Sequence, residues 1–304
     1  MFFTGFADEA AKDIDGQIAA TKTLGWQYIE SRAVGTLNIH DISDAEFDVV
    51  CGKLADAGIK INCFGSTIAN WACQPMDEEV FQKTRNDLTR ALKRMQILDC
   101  KLIRAMSFKY QLDRPAFDAE SEKWIFEKVN ILAKMCEDSG VQYGHENCMN
   151  YGGMSWKHTL KLLDNIHSKA FTLIFDTGNP VFNFDRSNGD KLDKYQDSWE
   201  FYRNVREFIS YVHIKDGYLT PDPEKEGKMK TIFTFAGEGD GKVREIVTDL
   251  LKNGYDGGFS MEPHMATVFH DQEAGSNDEI RFNNYVEYGR KFMDLISDVK
   301  KQLA

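Results

Sequence analysis

Eight strand signals alternate with eight helix signals along 304 residues, and four of the helix patterns stop at a glycine. No glycine-rich phosphate turn follows the first strand. These three observations predict a single domain over 1–304, an α/β barrel of the (β/α)8 (TIM) class with extended loops on its C-terminal face. Strands that alternate with helices argue for a parallel sheet. Eight such units fit a barrel, which takes about 250 residues or more. An open doubly wound sheet is the rival architecture, but it usually opens with a glycine-rich turn, and FFTGFADEA has none.

The first strand is expected over 2–6, then a helix over 8–24 with Ala10, Ile14, Ile18 and Thr21 at near-helical spacing. QYIES (27–31) leads to a helix over 44–57, and IKINCFG (59–65) leads through a longer loop to one over 77–98. KLIRAMS (101–107) precedes a helix over 116–139, and VQYGHEN (141–147) one over 156–166. FTLIFDTGN (171–179) precedes a helix near 193–206, and FISYVHIKD (208–216) one over 242–253. GFSMEP (258–263) precedes the last helix, over 278–300. Gly25, Gly58, Gly140 and Gly254 stand where a helix must turn back into a strand, a place that favours a left-handed residue. The longest loops follow strands 3, 6 and 7, on the face where barrels build their sites.

The composition excludes several functions. Hydrophobic residues make up 42% and charged residues 28% of the chain, as in a protein with a large core. No apolar run approaches the roughly 20 residues of a membrane helix. The opening MFFTGFADEAAKD turns acidic without a long apolar stretch and is not expected to be a secretory signal. Six scattered cysteines with no C-x-x-C pair read as reduced thiols of a cytoplasmic protein. A net charge of -11 opposes nucleic-acid and anionic-membrane partners. The expected partner is a small sugar. A homo-oligomer formed through the amphipathic last helix is compatible with the pattern.

Glu146 in YGHEN, Asp176 in LIFDTGN, His213 in YVHIKD and Glu262 in FSMEPH each end a strand, on strands 5, 6, 7 and 8. A lone carboxylate at such a position is commonly a helix cap or a salt-bridge partner. Three at one point repel one another unless a cation joins them. Three carboxylates and one imidazole suit one divalent cation, Mn²⁺ first, with Mg²⁺, Co²⁺ or Zn²⁺ as alternatives.

The segments GHEN…GG, FDTGN, VHIKD, GEGDG and NGYDGGFSMEPH resemble, in order and spacing, the strand-end blocks of the xylose-isomerase-like barrel superfamily of sugar phosphate isomerases and epimerases. GFADE, YIESR and RAMSF resemble it more loosely. The resemblance implies that Glu146, Asp176, His213 and Glu262 ligate one cation. It also implies that Glu146 and Glu262 flank an open-chain ketose and move a proton next to its carbonyl through an enediolate, with the cation stabilising the oxygen as charge develops. Asn179 departs from the superfamily, where several epimerases carry histidine at the matching place.

Other residues are candidates for contact with substrate. Lys215, two residues past His213, points to the same side of its strand and reads equally as a rim salt bridge. Arg104 either meets substrate or pairs with Glu30 or Glu146. His145 adjoins Glu146 and on a regular strand points away from the axis, as a packed core histidine. Turned back, it would be a general base for a lyase or dehydratase, of the inosose dehydratase or keto-glycoside β-elimination kind, which is the alternative activity. His264 lies beyond Pro263 in a loop, and Trp71 lies in the long loop after strand 3, able to stack on a sugar or meet a subunit. No obvious cluster of Arg and Lys marks the mouth, which favours an unphosphorylated sugar or sugar acid. GEGDG (237–241) reads as a tight turn capping the next helix rather than a phosphate loop. A DNA-repair endonuclease would need more histidines and a basic face, and a sugar-binding barrel without activity would not need the full ligand set.

Overall fold

Eight parallel strands, β1 (Phe2–Gly5), β2 (Tyr28–Ser31), β3 (Lys60–Gly65), β4 (Leu102–Ala105), β5 (Gln142–Glu146), β6 (Phe171–Asp176), β7 (Ile209–Ile214) and β8 (Gly258–Met261), surround one axis. The computed structural model describes residues 1–265 and 278–304. Hydrogen bonds join the strands in the order β1-β8-β7-β6-β5-β4-β3-β2. A parallel bridge between Phe6 and Glu30 brings the two ends together into a nearly closed barrel.

The helices α1 (Ile14–Thr23), α2 (Asp44–Ala57), α3 (Glu78–Ile97), α4 (Ala119–Asp138), α5 (Trp156–Asn165), α6 (Ser198–Val205), α7 (Val243–Lys252) and α8 (Asp278–Leu303) follow the strands in turn. Their apolar faces and the outward faces of the strands share one core. The expected glycine stops hold, with positive φ at Gly25, Gly58, Gly140 and Gly254. Helix starts are the main difference from expectation. The helix foreseen over 8–24 begins only at Ile14, where Asp13 accepts the amide of Gly16 as N-cap. Asp8 and Glu9 lie in a short 3-10 turn instead, because Arg32 draws both carboxylates to the barrel mouth. The helix foreseen near 193–206 begins at Ser198, capped by Asp197. The preceding residues cross back, through a bridge between Phe184 and Tyr195.

Strand periodicity sets the barrel interior. Cys63, Leu102, Ile174 and Tyr211, with Phe2 against them, form a separate apolar cluster. Two residues further along the same strands, on the same side, stand Arg104, Asp176 and His213. The interior thus passes from apolar to ionised within one pleat. A register shift between Ile29 and Glu30 inserts Asn62 as an extra residue on β3, a bulge that turns its side chain inward. On the C-terminal face an antiparallel hairpin, Gly217–Pro221 with Met229–Phe233, follows β7. Its outer part contains most of the Lys/Glu run at 221–230, which is largely exposed. Among the described residues no helix is long and apolar enough to cross a membrane.

Candidate metal centre

Glu146, Asp176, His213 and Glu262 converge: one ligand atom from each lies within 4.8 Å of every other, and all four residues are buried. Each sits within one residue of the end of β5, β6, β7 or β8, so the common strand-end phase read from the sequence becomes a common point in space.

The cluster has an internal division of charge. Arg104 Nε donates to Glu146 Oε2 at 2.6 Å. Arg32 Nη1 donates to Glu262 Oε1 at 3.1 Å. Both guanidiniums lie over the Phe6 ring, Arg32 at 4.4 Å and Arg104 at 5.5 Å from its centroid. His213 is held between Glu146 Oε1 at Nδ1, 3.1 Å, and Glu30 at Nε2, 3.1 and 3.2 Å. Burial pushes the Glu146 carboxyl up, but Arg104 and His213 outweigh it and hold it at about 2. Glu262 is likewise opposed by burial and still held well below the carboxylate range by Lys215, His264 and Arg32. Asp176 differs: burial, with repulsion from Glu262 and Glu146, outweighs Lys215 and pushes it up to about 6.

Asp176 therefore shows where positive charge is short. Its Oδ1 accepts the amides of Gly178 and Asn179 at 2.8 and 2.7 Å, the helix-cap role expected of a lone strand-end carboxylate. Its Oδ2 and Glu262 Oε2 are buried and accept no hydrogen bond among the described residues. The Lys215 ammonium stands 3.1 and 2.8 Å from them as an ion pair. Around the cluster, the carboxylates of Asp8, Glu9, Glu30, Glu146, Asp176 and Glu262 face the cations of Arg32, Arg104 and Lys215, an excess of negative charge even with His213 protonated. Two buried carboxylate oxygens that share the Lys215 ammonium and accept no hydrogen bond among the described residues, an excess of negative charge and a set of hard oxygen donors with one imidazole fit a divalent cation.

The structure brings several candidate contact residues to this point. Lys215 is buried, and its stem passes over Gly178, where a Cβ would come within 2.8 Å of it. Asn179 Oδ1 accepts from Lys215 Nζ at 3.1 Å, and its Nδ2 donates to Glu146 Oε1 at 3.4 Å. His264, at φ +53, turns its ring back so that Nδ1 meets Glu9 at 2.9 Å and Nε2 lies 3.4 Å from Glu262. Arg104 pairs with Glu146, one of the two partners foreseen.

His145 is not brought to the cluster. It lies behind the sheet, with Nε2 at 2.9 Å from Ser107 and 3.1 Å from Asn150 and its ring against Phe171. Burial holds it at about 4. Trp71 lies on the same face as the cluster but apart from it. With Tyr110, Leu112 and Met149 it lines an open cavity of about 680 Å³ between the loops that follow β3, β4 and β5.

Two expectations about charge are revised. The mouth does carry a group of basic residues, Arg32, Arg104 and Lys215, although no run in the sequence announces it. They come from three different strands, and all are ion-paired to carboxylates. The GEGDG turn does wrap an anion, but the anion is the chain's own: Gly237, Gly239 and Gly241 donate to the Asp216 carboxylate at 2.8, 3.1 and 2.8 Å. A Cβ at Gly239 would lie 2.4 Å from that carboxylate.

Arg32, Asp8 and Glu9 are residues of the site that the sequence did not mark, and Glu30 was foreseen only as a candidate partner of Arg104. The signal that could have placed Glu30 in the site is the one used for the candidate ligands, an acidic residue in phase at the end of a buried strand.

Relatives agree with this architecture. An inosose dehydratase of Mesomycoplasma hyopneumoniae (strain J) is 23% identical over 295 residues, covering 83% of this chain and 88% of that protein. One of Bacillus thuringiensis is 26% identical, and the match spans about half of it, 53%. Among solved structures, a D-tagatose 3-epimerase-like protein superposes with a TM-score of 0.71 at 17% identity, covering 100% of both chains. A xylose isomerase-like TIM barrel protein of Mycobacterium smegmatis, in complex with magnesium, gives 0.67 at 17% identity over 97% of both. At these identities the structural likeness is one of fold. The profile for xylose isomerase-like TIM barrels matches residues 18–284, a span that takes in seven of the eight strands and all four converging side chains, and the chain belongs to that family.

Proposed function

We propose that this chain is a divalent-cation-dependent sugar isomerase or epimerase in which Glu146 and Glu262 take and return the proton next to a carbonyl. The observation that supports it most is the pairing of each of these buried carboxylates with its own arginine, beside an aspartate left short of positive charge. A carboxylate kept ionised can accept a proton, and once it carries that proton it can give it back to carbon. Two of them on strands three apart can address a bound carbon from two directions. Glu146, Asp176, His213 and Glu262 would hold the cation, Mn²⁺ first and Mg²⁺, Co²⁺ or Zn²⁺ as alternatives. Once bound, it would supply Lewis-acid polarisation of the carbonyl.

Lys215 and His264, both beside Glu262, would hold substrate hydroxyls, and Trp71 would meet the far end of the sugar. Because the described cations at the mouth are committed to protein carboxylates, the reading favours a sugar or sugar acid without phosphate.

A second reading is a carbon–oxygen lyase, supported by the relatives named inosose dehydratase. His145 faces away from the cluster, so here too a carboxylate would remove the proton. Lys215 or His264 would then donate one to the hydroxyl that leaves as water.

The test is incubation with Mn²⁺ in D₂O against a panel of ketoses, inososes and 3-keto glycosides, followed by NMR and mass spectrometry. Deuterium next to the carbonyl with a new stereoisomer or aldose–ketose partner is the expected result. Loss of water or of an aglycone moves the assignment to the lyase. No exchange with any member of the panel overturns both.

A further inference from the structure

Glu30 is fully buried in the barrel interior, a place where an ionised carboxylate loses its hydration and must be compensated. Among the described residues its ion-pair partner is His213 alone. The rest of its surroundings are aligned to keep it there. The Tyr211 hydroxyl donates to Glu30 Oε2 at 3.1 Å and accepts from Asn62 Nδ2 at 2.8 Å. Asn62 Oδ1 in turn accepts from the Thr4 hydroxyl at 2.8 Å. Asn62 takes part because of the β3 bulge, so a local irregularity of the sheet serves this chain of hydrogen bonds.

An imidazole has two nitrogens, and here they face different ways. Nε2 meets both oxygens of Glu30, whereas Nδ1 faces Glu146 and the converging carboxylates. The Phe6 ring, T-shaped to the imidazole at 5.1 Å between ring centroids, packs against it. We propose that Glu30 is a positioning residue: by accepting the Nε2 proton it fixes His213 in the tautomer whose Nδ1 lone pair is offered to the cation. A carboxylate behind a metal-binding imidazole both orients the ring and strengthens it as a donor. This inference rests on the metal reading above and extends it to a strand that supplies no ligand.

The test compares the wild-type chain with Glu30→Gln and Tyr211→Phe. Calorimetric titration with Mn²⁺ measures affinity, and ¹⁵N NMR of the imidazole in the Zn²⁺-loaded protein measures the tautomer. Glu30→Gln should bind Mn²⁺ roughly 10- to 100-fold more weakly and lose the clean Nε2-protonated pattern. Tyr211→Phe, which keeps the ring and removes one hydrogen bond to Glu30, should weaken binding in the same direction by less, and it serves as the test should Glu30→Gln not fold. Wild-type affinity and an unchanged nitrogen pattern in the variants would overturn the role of Glu30 while leaving the metal reading intact. A wild-type chain that takes up no Mn²⁺ would overturn both.

Discussion

The two halves of the barrel do different work. β5 to β8 supply every candidate ligand, together with Lys215 and His264. β1 to β4 and their loops add groups that, beside Lys215 and His264, set the ionisation and direction of those candidate ligands: Arg32 on Glu262, Arg104 on Glu146 and Glu30 on His213. The difference teaches that a parallel barrel lets one part of the chain bring reactive groups while another, remote in sequence, tunes them. Eight strands opening onto one point make every strand end a neighbour of the others.

The largest effect expected on this division is at Glu262. Glu262→Gln should keep the fold and lower turnover roughly 10³-fold, the size of a lost transition-state contact, measured on whichever substrate exchanges deuterium. Near-normal turnover would break the assignment of chemistry to the second half.

Next comes Arg104→Met, which strands the buried Glu146 carboxylate without its guanidinium. Breaking a buried pair costs about 3–5 kcal/mol, to be read by urea unfolding, and saturating Mn²⁺ should restore part of it by mass action. Arg32→Met should cost less, because Lys215 remains 2.8 Å from Glu262. Equal losses would show that the two arginines are not the separate counter-charges described.

Acid sensitivity separates the site from the outer layer. Burial holds His158, on α5, at about 4, with Nδ1 2.7 Å from the Ser155 hydroxyl and Nε2 2.8 Å from the Ala116 carbonyl. Its folded value is below the unfolded one, so the unfolded chain binds the extra proton first. The stabilisation is complete above about pH 6.5 and falls away towards pH 4, by up to about 3 kcal/mol. His158→Gln should flatten that part of the stability profile without changing Mn²⁺ affinity.

The smallest effect concerns the cavity. Trp71→Ala should raise KM about 2- to 10-fold with kcat nearly unchanged, as expected of one lost stacking contact. A fall in kcat instead would draw the loop after β3 into the chemistry.

Much of the second half was legible because its four candidate ligands share one signature, a charged or imidazole group in the same phase at the end of an apolar strand. Lys215 followed from two-residue alternation. Asp8, Glu9 and Arg32 escaped for a physical reason. Asp8 and Glu9 stand where a helix welcomes acidic residues, so the pattern reads as a helix start, and their real partners, Arg32 and His264, lie 23 to 255 residues away. His264 was unreadable because its direction depends on a left-handed backbone after Pro263. The basic mouth was invisible because its three cations share no run of sequence.

The bridge between Phe6 and Glu30, and the pairing of β1 with β8, carry a kinetic consequence. The seam joins residues 2–5 to residues 258–261, so its loop-closure entropy can be met only after all eight strands exist. During synthesis the first seven strands can collapse, but Glu262 is still absent and Arg32 and Lys215 have yet to meet it. A cation captured by that partial barrel would find three side chains rather than four. On the proposed metal reading, β8 would therefore act as a checkpoint, and tight cation uptake would report that the barrel has closed.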